Sequence, residues 1–329
     1  MARTGNVVDR LVAARVPVQS YYADFESGKV VVTLYKPTSA QRNAAARAVA
    51  SLPDRITTTA TKVAPIPAIK VRTTSVGPAA TVAAAHGNRA FGHSPWLGGS
   101  FIDSTYGGFF HFCTDSWPIK IGKKNFLTTA GHCSPAGHQW INLTLNKNKQ
   151  PLGDKKRIGG KAVRNELKTK HHLDVQLLPA QNLSLVWSGH ILNNYATKVH
   201  SHFIPPVGTH VCQDGAYEGT VCGAKVTRSG HNVCIVSSDG KMCHLYRASR
   251  PKGKVLIGQG DSGGPVYAAI GKTSHVSAAK AAGLNSLETV ANLKCPAFTW
   301  RGRVCSNVMF FTGLNAILNF YHAKLRTRR

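Results

Sequence analysis

The sequence predicts a mainly β protein, a barrel or sandwich of short strands closed by one terminal helix. Three observations predict it. From Trp96 onward, short apolar runs such as Gly108–Phe112, Asn125–Thr129, Asp174–Leu178, Val207–Cys212, Gly264–Ile270 and Val308–Phe311 are broken repeatedly by Gly, Asn and Pro, the texture of antiparallel strands joined by tight turns. At the C-terminal end, Leu314, Ile317, Leu318 and Tyr321 recur at i, i+3, i+4, i+7, which marks a short amphipathic helix. Eight cysteines, at 113, 133, 212, 222, 234, 243, 295 and 305, are confined to this same portion, and none forms a Cys-x-x-Cys pair. An even count without metal-ligand spacing reads as a disulfide framework formed in an oxidising compartment. Pairing of neighbours is the simplest of the possible connectivities: Cys113–Cys133, Cys212–Cys222, Cys234–Cys243 and Cys295–Cys305.

The 329 residues suffice for one large domain or two ordinary ones, and a hydrophobic fraction of 43% excludes wholesale disorder. No apolar run is long enough for a membrane-spanning helix. The formal net charge is +27, which raises the question of a nucleic-acid or anionic partner. The excess is spread, however: residues 1–90 hold 12 Lys+Arg against 4 Asp+Glu, and the remainder 29 against 10. The dense clusters are Lys147–Arg157 and the tail from Lys324 to Arg329. Charge without a recognition motif reads first as solvated surface. The opening MARTGNVVDRLVAARVPVQS has no apolar h-region, so no secretory signal peptide is visible in it.

The first segment has its own texture. Gly28–Tyr35, with three consecutive valines after a Ser-Gly turn signal, reads as a strand. Pro37 ends it, Thr38 and Gln41 have capping-box spacing, and Ala44, Ala45, Ala48, Val49 and Leu52 follow at helical spacing until Pro53. Residues 1–56 are therefore expected as a small strand–helix unit. Residues 57–95, rich in Thr, Ala, Pro and Gly, are expected as a connector, and 96–329 as the main domain.

Two motifs carry chemistry. In Gly258-Gln259-Gly260-Asp261-Ser262-Gly263-Gly264-Pro265, a serine stands on a glycine-rich turn. Such a turn exposes a hydroxyl and lets substrate backbone approach closely. The N–H groups of Gly260 and Ser262 are candidates to converge on a developing oxyanion. In Leu127-Thr128-Thr129-Ala130-Gly131-His132-Cys133, His132 is the candidate base. A carboxylate must orient it. Asp174, at the start of an apolar run, is favoured over Asp154, which lies in the turn-like Gly153-Asp154-Lys155-Lys156. Asp261 reads as structural support for the turn. His171, His172, His200 and His202 lack further ligands at metal spacing, so no metal site and no cofactor are expected.

These motifs, in the order His, Asp, Ser, resemble the chymotrypsin-like serine protease family. Ala130-Gly131-His132-Cys133 resembles in particular its bacterial branch, the streptogrisins and alpha-lytic protease. Val207–Cys212 with Gly219–Gly223 resembles that branch's central disulfide hairpin, and Phe310-Phe311 with Asn315–Leu318 its C-terminal end. The resemblance covers about residues 96–329. It implies two six-stranded antiparallel β-barrels with the triad between them, a Cys113–Cys133 disulfide, and peptide-bond hydrolysis by Ser262, His132 and Asp174 without a cofactor. Tyr21–Asp24 followed by Lys29–Leu34 resembles the end of that branch's pro-region, which implies a secreted, self-processing zymogen cut between about Ala85 and Trp96. Substrates are then proteins or peptides, and a monomer is expected.

Two departures bear on specificity. Where the branch has Ser-Gly-Gly on the substrate-pairing strand, this chain has Ser286-Leu287-Glu288. Where it often has a cysteine before the nucleophile motif, this chain has Val255-Leu256-Ile257, so the usual pocket disulfide is expected to be absent or rerouted, with Cys295–Cys305 the candidate for the latter. Leu256 and Ile257 suggest an apolar pocket floor and a small or apolar residue before the cleaved bond. The rival reading is a catalytically silent homologue that binds polyanions or nucleic acid through its basic surface, and weak adhesion to anionic surfaces is compatible with either.

Overall fold

The computed structural model describes residues 18–24, 29–34, 38–40, 43, 56–60, 89, 92–106, 109–145, 151–189, 195–230, 233–237, 239–270, 278–288, 293–296 and 303–328. The chain divides into two compact units: Met1–Thr74 with Cys234–Met242, and Ser75–Val233 with Cys243–Arg329.

In the first unit, Val18–Asp24 pairs antiparallel with Lys29–Leu34, which runs parallel to Ile56–Ala60. A separate hairpin joins Ile235–Ser237 to Gly240–Met242. Of the strand expected over 28–35, Lys29–Leu34 is present, and Gly28 and Tyr35 lie outside the described residues. Of the expected helix, Ser39, Ala40 and Asn43 are helical, and Gln41 and residues 44–53 lie outside the described residues. The expected connector of 57–95 begins inside a strand, because β-branched Ile56-Thr57-Thr58-Thr59 favours extended backbone despite its polar setting. Residues 61–88 of that connector lie outside the described residues.

The second unit contains a closed ring of six antiparallel strands. Pro265–Ile270 pairs with His210–Gly215, which pairs with Gly219–Arg228, Leu245–Ser249, Val308–Gly313 and Ala278–Glu288 in succession, and the last returns to Pro265–Ile270. Inside it pack Val211, Ala224, Val226, Leu256, Ile257, Val266, Met309 and Phe311. The ring is the second of the two barrels the resemblance implies. The preceding part comprises two four-stranded sheets. One orders Pro151–Arg157, Ile141–Leu145, Phe101–Tyr106 and Phe109–Thr114. The other orders Gln176–Pro179, Lys124–Thr129, Pro118–Ile121 and Lys324–Leu325. Their shared core includes Ile102, Trp117, Ile119, Leu127, Trp140, Leu177 and Leu178.

The terminal helix, Leu314–Tyr321, buries all four residues of the periodic set in that core, each Leu or Ile worth roughly 1.5–3 kcal/mol. Among the described residues no helix is long and apolar enough to cross a membrane. Two local expectations are corrected. Asp154 lies in the strand Pro151–Arg157, not in a turn. The strand expected from Val207 begins at His210, because Pro205-Pro206 and Gly208, at φ +95°, bend the chain and leave Val207 59% exposed.

Cys113–Cys133, Cys212–Cys222 and Cys295–Cys305 are bonded as expected. Cys234 and Cys243 are also disulfide-bonded.

Candidate active site

The buried strand Lys124–Thr129 delivers Ala130 into a single 3₁₀ turn, Gly131–Cys133. Cys113–Cys133 ties this turn to the neighbouring sheet. Of the two carboxylates weighed from the sequence, Asp174 is the one that meets His132. Its side chain is fully buried, and its Oδ2 lies 3.0 Å and its Oδ1 3.2 Å from His132 Nδ1. Oδ1 also accepts the His132 backbone N–H at 2.9 Å. One carboxylate thus fixes both the backbone and the ring of the histidine, whose side chain remains 13% exposed. The carbonyl of Asp174 accepts the Thr312 hydroxyl at 3.4 Å, and Thr312 Oγ1 is 2.7 Å from Ser286 Oγ.

Neutral side chains hold the histidine turn from below. Asn165 Nδ2 donates to the carbonyls of Gly131 and Ser134, and Gln176 Nε2 donates to that of Ser134 at 2.8 Å. Gly131 has no room for a side chain: a Cβ there would lie 2.8 Å from Asn165 Oδ1 and 3.1 Å from Val175 N.

The Ser262 turn docks against the strand that leads to His132. Thr114 N–H donates to the Ser262 carbonyl at 2.8 Å, and the Thr114 carbonyl accepts the Thr129 hydroxyl at 2.8 Å. Gly263 adopts φ +87°, and a Cβ on it would lie 2.2 Å from Thr114 O and 2.9 Å from Ala130 N. Gly260 adopts φ +92°, with the Tyr217 ring where a side chain would go. The glycines of the motif are therefore demanded by backbone geometry and close approach together. Among the described residues, the N–H groups of Gly260 and Ser262 have no hydrogen-bond acceptor.

Beneath the turn, Asp261 is fully buried. Its Oδ1 accepts the N–H groups of Tyr217 and Glu218, each at 3.0 Å, and its Oδ2 accepts Gly258 N–H at 2.9 Å and Arg303 Nη2 at 3.2 Å. Arg303, itself buried, also pairs through Nη1 with Glu218, donates through Nε to the Gln259 carbonyl at 2.7 Å, and lies over the Tyr217 ring. Burial pushes the Asp261 carboxyl above its ordinary range, against the opposing pull of the Arg303 guanidinium and three backbone N–H bonds. The structural role expected for Asp261 is thus occupied by a dense set of contacts.

Ser286 and Leu287 lie on the strand Ala278–Glu288, with Ser286 turned inward to Thr312 and Leu287 half-buried. The Glu288 side chain lies outside the described residues. Leu256 and Ile257 are buried in the barrel core, and Ile257-Gly258 pairs with Cys305-Ser306. A Cβ on Gly258 would meet Cys305 Sγ at 2.3 Å, so the Cys295–Cys305 disulfide abuts the stretch leading into Ser262. Two groups of potential ligand atoms occur among the described residues, Cys113 with His132 and Cys133, and Glu218 with Cys295 and Cys305. In each, both sulfurs belong to a disulfide, which leaves one ordinary ligand where a metal needs three or four.

No family model and no curated relative matches the chain. Among solved structures it is similar to Thermobifida fusca Protease A, at 20% identity and a TM-score of 0.48 over 70% of this chain and 98% of that one. It is similar to Nocardiopsis Protease, at 22% and 0.47 over 70% and 98%, and to an alpha-lytic protease homolog, N4, at 17% and 0.46 over 70% and 98%.

Several supporting residues carry no sequence signal. Thr114, Asn165, Tyr217, Glu218 and Arg303 lie in no motif, and each acquires its role through partners distant in the chain. For Asn165 and Arg303 a signal is absent in principle, since an isolated Asn or Arg in a basic chain reads as surface.

Proposed function

We propose that the protein is a serine endopeptidase in which Ser262 attacks the peptide carbonyl. His132 takes the serine proton and passes it to the leaving amine, and Asp174 holds the imidazole tautomer and stabilises the imidazolium that forms. The Gly260 and Ser262 N–H groups, which have no acceptor among the described residues, hold the oxyanion. The observation that carries this reading is the buried Asp174 carboxylate on His132 Nδ1, which leaves Nε2 to face a nucleophile. Disulfides among all eight cysteines suit an oxidising, extracellular setting, and the N-terminal unit is read as a pro-region released by self-cleavage. The test is labelling by a fluorophosphonate under oxidising conditions. Labelling and peptide hydrolysis are expected in the native chain and absent from Ser262→Ala; a Ser262→Ala chain with full peptidase activity refutes the assignment.

A second reading, polyanion binding, is favoured by a cavity of about 930 Å³ whose lining includes Lys123, Lys124 and Arg164, no carboxylate, and none of Ser262, His132 and Asp174. Heparin binding that weakens steeply with salt and is lost on replacing the three cations supports it; affinity unchanged by those replacements removes it.

A further inference from the structure

The expected connector contains one residue that the peptidase reading leaves unused. Arg89 is fully buried, and its Nη2 forms an ion pair with Asp214 Oδ1, 125 residues away and equally buried. Arg89 Nη1 donates to the Gly99 carbonyl at 3.1 Å, and its own carbonyl accepts Phe101 N–H at 3.0 Å and Asn142 Nδ2 at 2.8 Å. Gly92 N–H donates to Asn142 Oδ1 at 2.8 Å. This stretch is therefore built into the second unit by backbone and side chain alike.

Its partner stands directly under the Ser262 turn. A Cβ on Gly264 would lie 2.9 Å from the Asp214 carbonyl and 3.0 Å from the Asp261 carbonyl. The next residue, Gly215, packs so closely on Asp261 that a Cβ there would lie 2.1 Å from its carboxylate. Beyond it, Tyr217 and Glu218 donate their N–H groups to Asp261, and Ala216 donates to the Thr114 hydroxyl, which bonds the Gly260 carbonyl. The segment 214–218 is thus the cradle of the turn. The charge at its head, Asp214, is met by one cation, Arg89, and by the Thr220 hydroxyl at 2.7 Å. Without Arg89 the buried Asp214 carboxylate beside Asp261 would lose its counter-ion, which destabilises the segment that carries it.

We propose that Arg89 is a positioning residue for Ser262. By neutralising Asp214 it sets the cradle in which the Gly258–Gly264 turn rests, so the site depends on the chain segment entering just ahead of the barrel. The proposal deepens the peptidase reading and rests on it. One consequence follows for processing: a cut that leaves an active enzyme falls on the amino side of Arg89.

The test compares the full chain with Arg89→Met and Arg89→Met/Asp214→Asn, by fluorophosphonate labelling of Ser262, by kcat and KM on a peptide, and by hydrogen exchange at residues 258–264. Arg89→Met is expected to lower labelling and kcat by about 10²-fold, as small misplacement of reacting groups does, with KM changed less. It is also expected to speed exchange at the bonded amides of Gly258, Gly263 and Gly264. The double variant, in which no carboxylate is orphaned, is expected to recover most of both. Labelling and exchange within about twofold of the native chain in Arg89→Met overturn the proposal. So does a double variant no better than Arg89→Met, folded or not, or an active product whose N-terminus lies beyond Arg89. A native chain that is never labelled refutes the peptidase reading, while the exchange comparison still decides the role of Arg89.

Discussion

The two halves of the candidate site are held by different physics. On the His132 side, Asp174 is clasped by a backbone N–H and a ring nitrogen, and the support beneath is neutral: Asn165, Gln176, Thr312 and Ser286 bonding to carbonyls or to one another. On the Ser262 side the support is ionic. Asp261, Glu218 and Asp214 lie buried with Arg303 and Arg89. A neutral hydrogen bond tolerates loss of one partner at modest cost, whereas a buried charge deprived of its counter-ion does not. The serine turn is therefore the half more sensitive to single substitutions.

The strongest way to break this comparison is Arg303→Met. It strips the cation from Asp261 and Glu218 at once, and a destabilisation of about 3–5 kcal/mol is expected, read as a fall in denaturation midpoint. Labelling of Ser262 should fall with it, while the environment of the His132 ring, followed by NMR, should change little below the transition. If Arg303→Met costs no more than a surface substitution, the ionic account of the serine side is wrong.

The matching change on the histidine side is Asn165→Ala, which removes the bonds to the Gly131 and Ser134 carbonyls. The expected cost is about 1–3 kcal/mol, as for leaving the Gly131 carbonyl without its donor while Gln176 still serves that of Ser134, with Ser262 labelling retained in the folded protein. A loss equal to that of Arg303→Met would erase the distinction between the halves. Thr114→Val lies where the halves meet. It removes the hydroxyl that joins Ala216 N–H to the Gly260 carbonyl but keeps the backbone bond to Ser262. A cost in the lower part of the same range is expected, about 1 kcal/mol, accompanied by faster exchange at Ala216.

The same contrast explains what could be read from the sequence. His132, Asp174 and Ser262 are legible as candidates because they stand in local signatures: glycines where φ is positive, and a histidine on a turn after a buried strand. The terminal helix and most strands were legible from periodicity. Arg89, Asp214, Glu218 and Arg303 were not, because an ion pair leaves no local trace when its partners stand 42 to 125 residues apart. In a chain with 41 Lys+Arg, two that are buried look like all the others. Ile56–Ala60 escaped for a different reason: its β-branched residues were outweighed by the Pro- and Ala-rich stretch that follows.

A last effect, which grows with pH, concerns a carboxylate that the arginines do not fully serve. Asp115 is buried next to Thr114. Its Oδ1 accepts Ser100 N–H at 2.7 Å, and its Oδ2 has no partner among the described residues. Burial pushes its carboxyl well above the ordinary range, against the opposing pull of backbone N–H bonds and of Arg89. A raised carboxyl binds its proton more tightly in the folded chain than in the unfolded one. Below about pH 4 both states are protonated and Asp115 contributes no slope. As pH rises from there towards the elevated folded value, the unfolded chain releases the proton first, and stability falls with a limiting slope of about 1.4 kcal/mol per pH unit. Asp115→Asn removes that slope. Its denaturation midpoint should match the native chain near pH 4 and exceed it increasingly towards neutral pH. A gap that shrinks as pH rises would mean that Asp115 is ionised and held by Arg89, which would place it among the ionic supports of the serine side rather than as a burden on them.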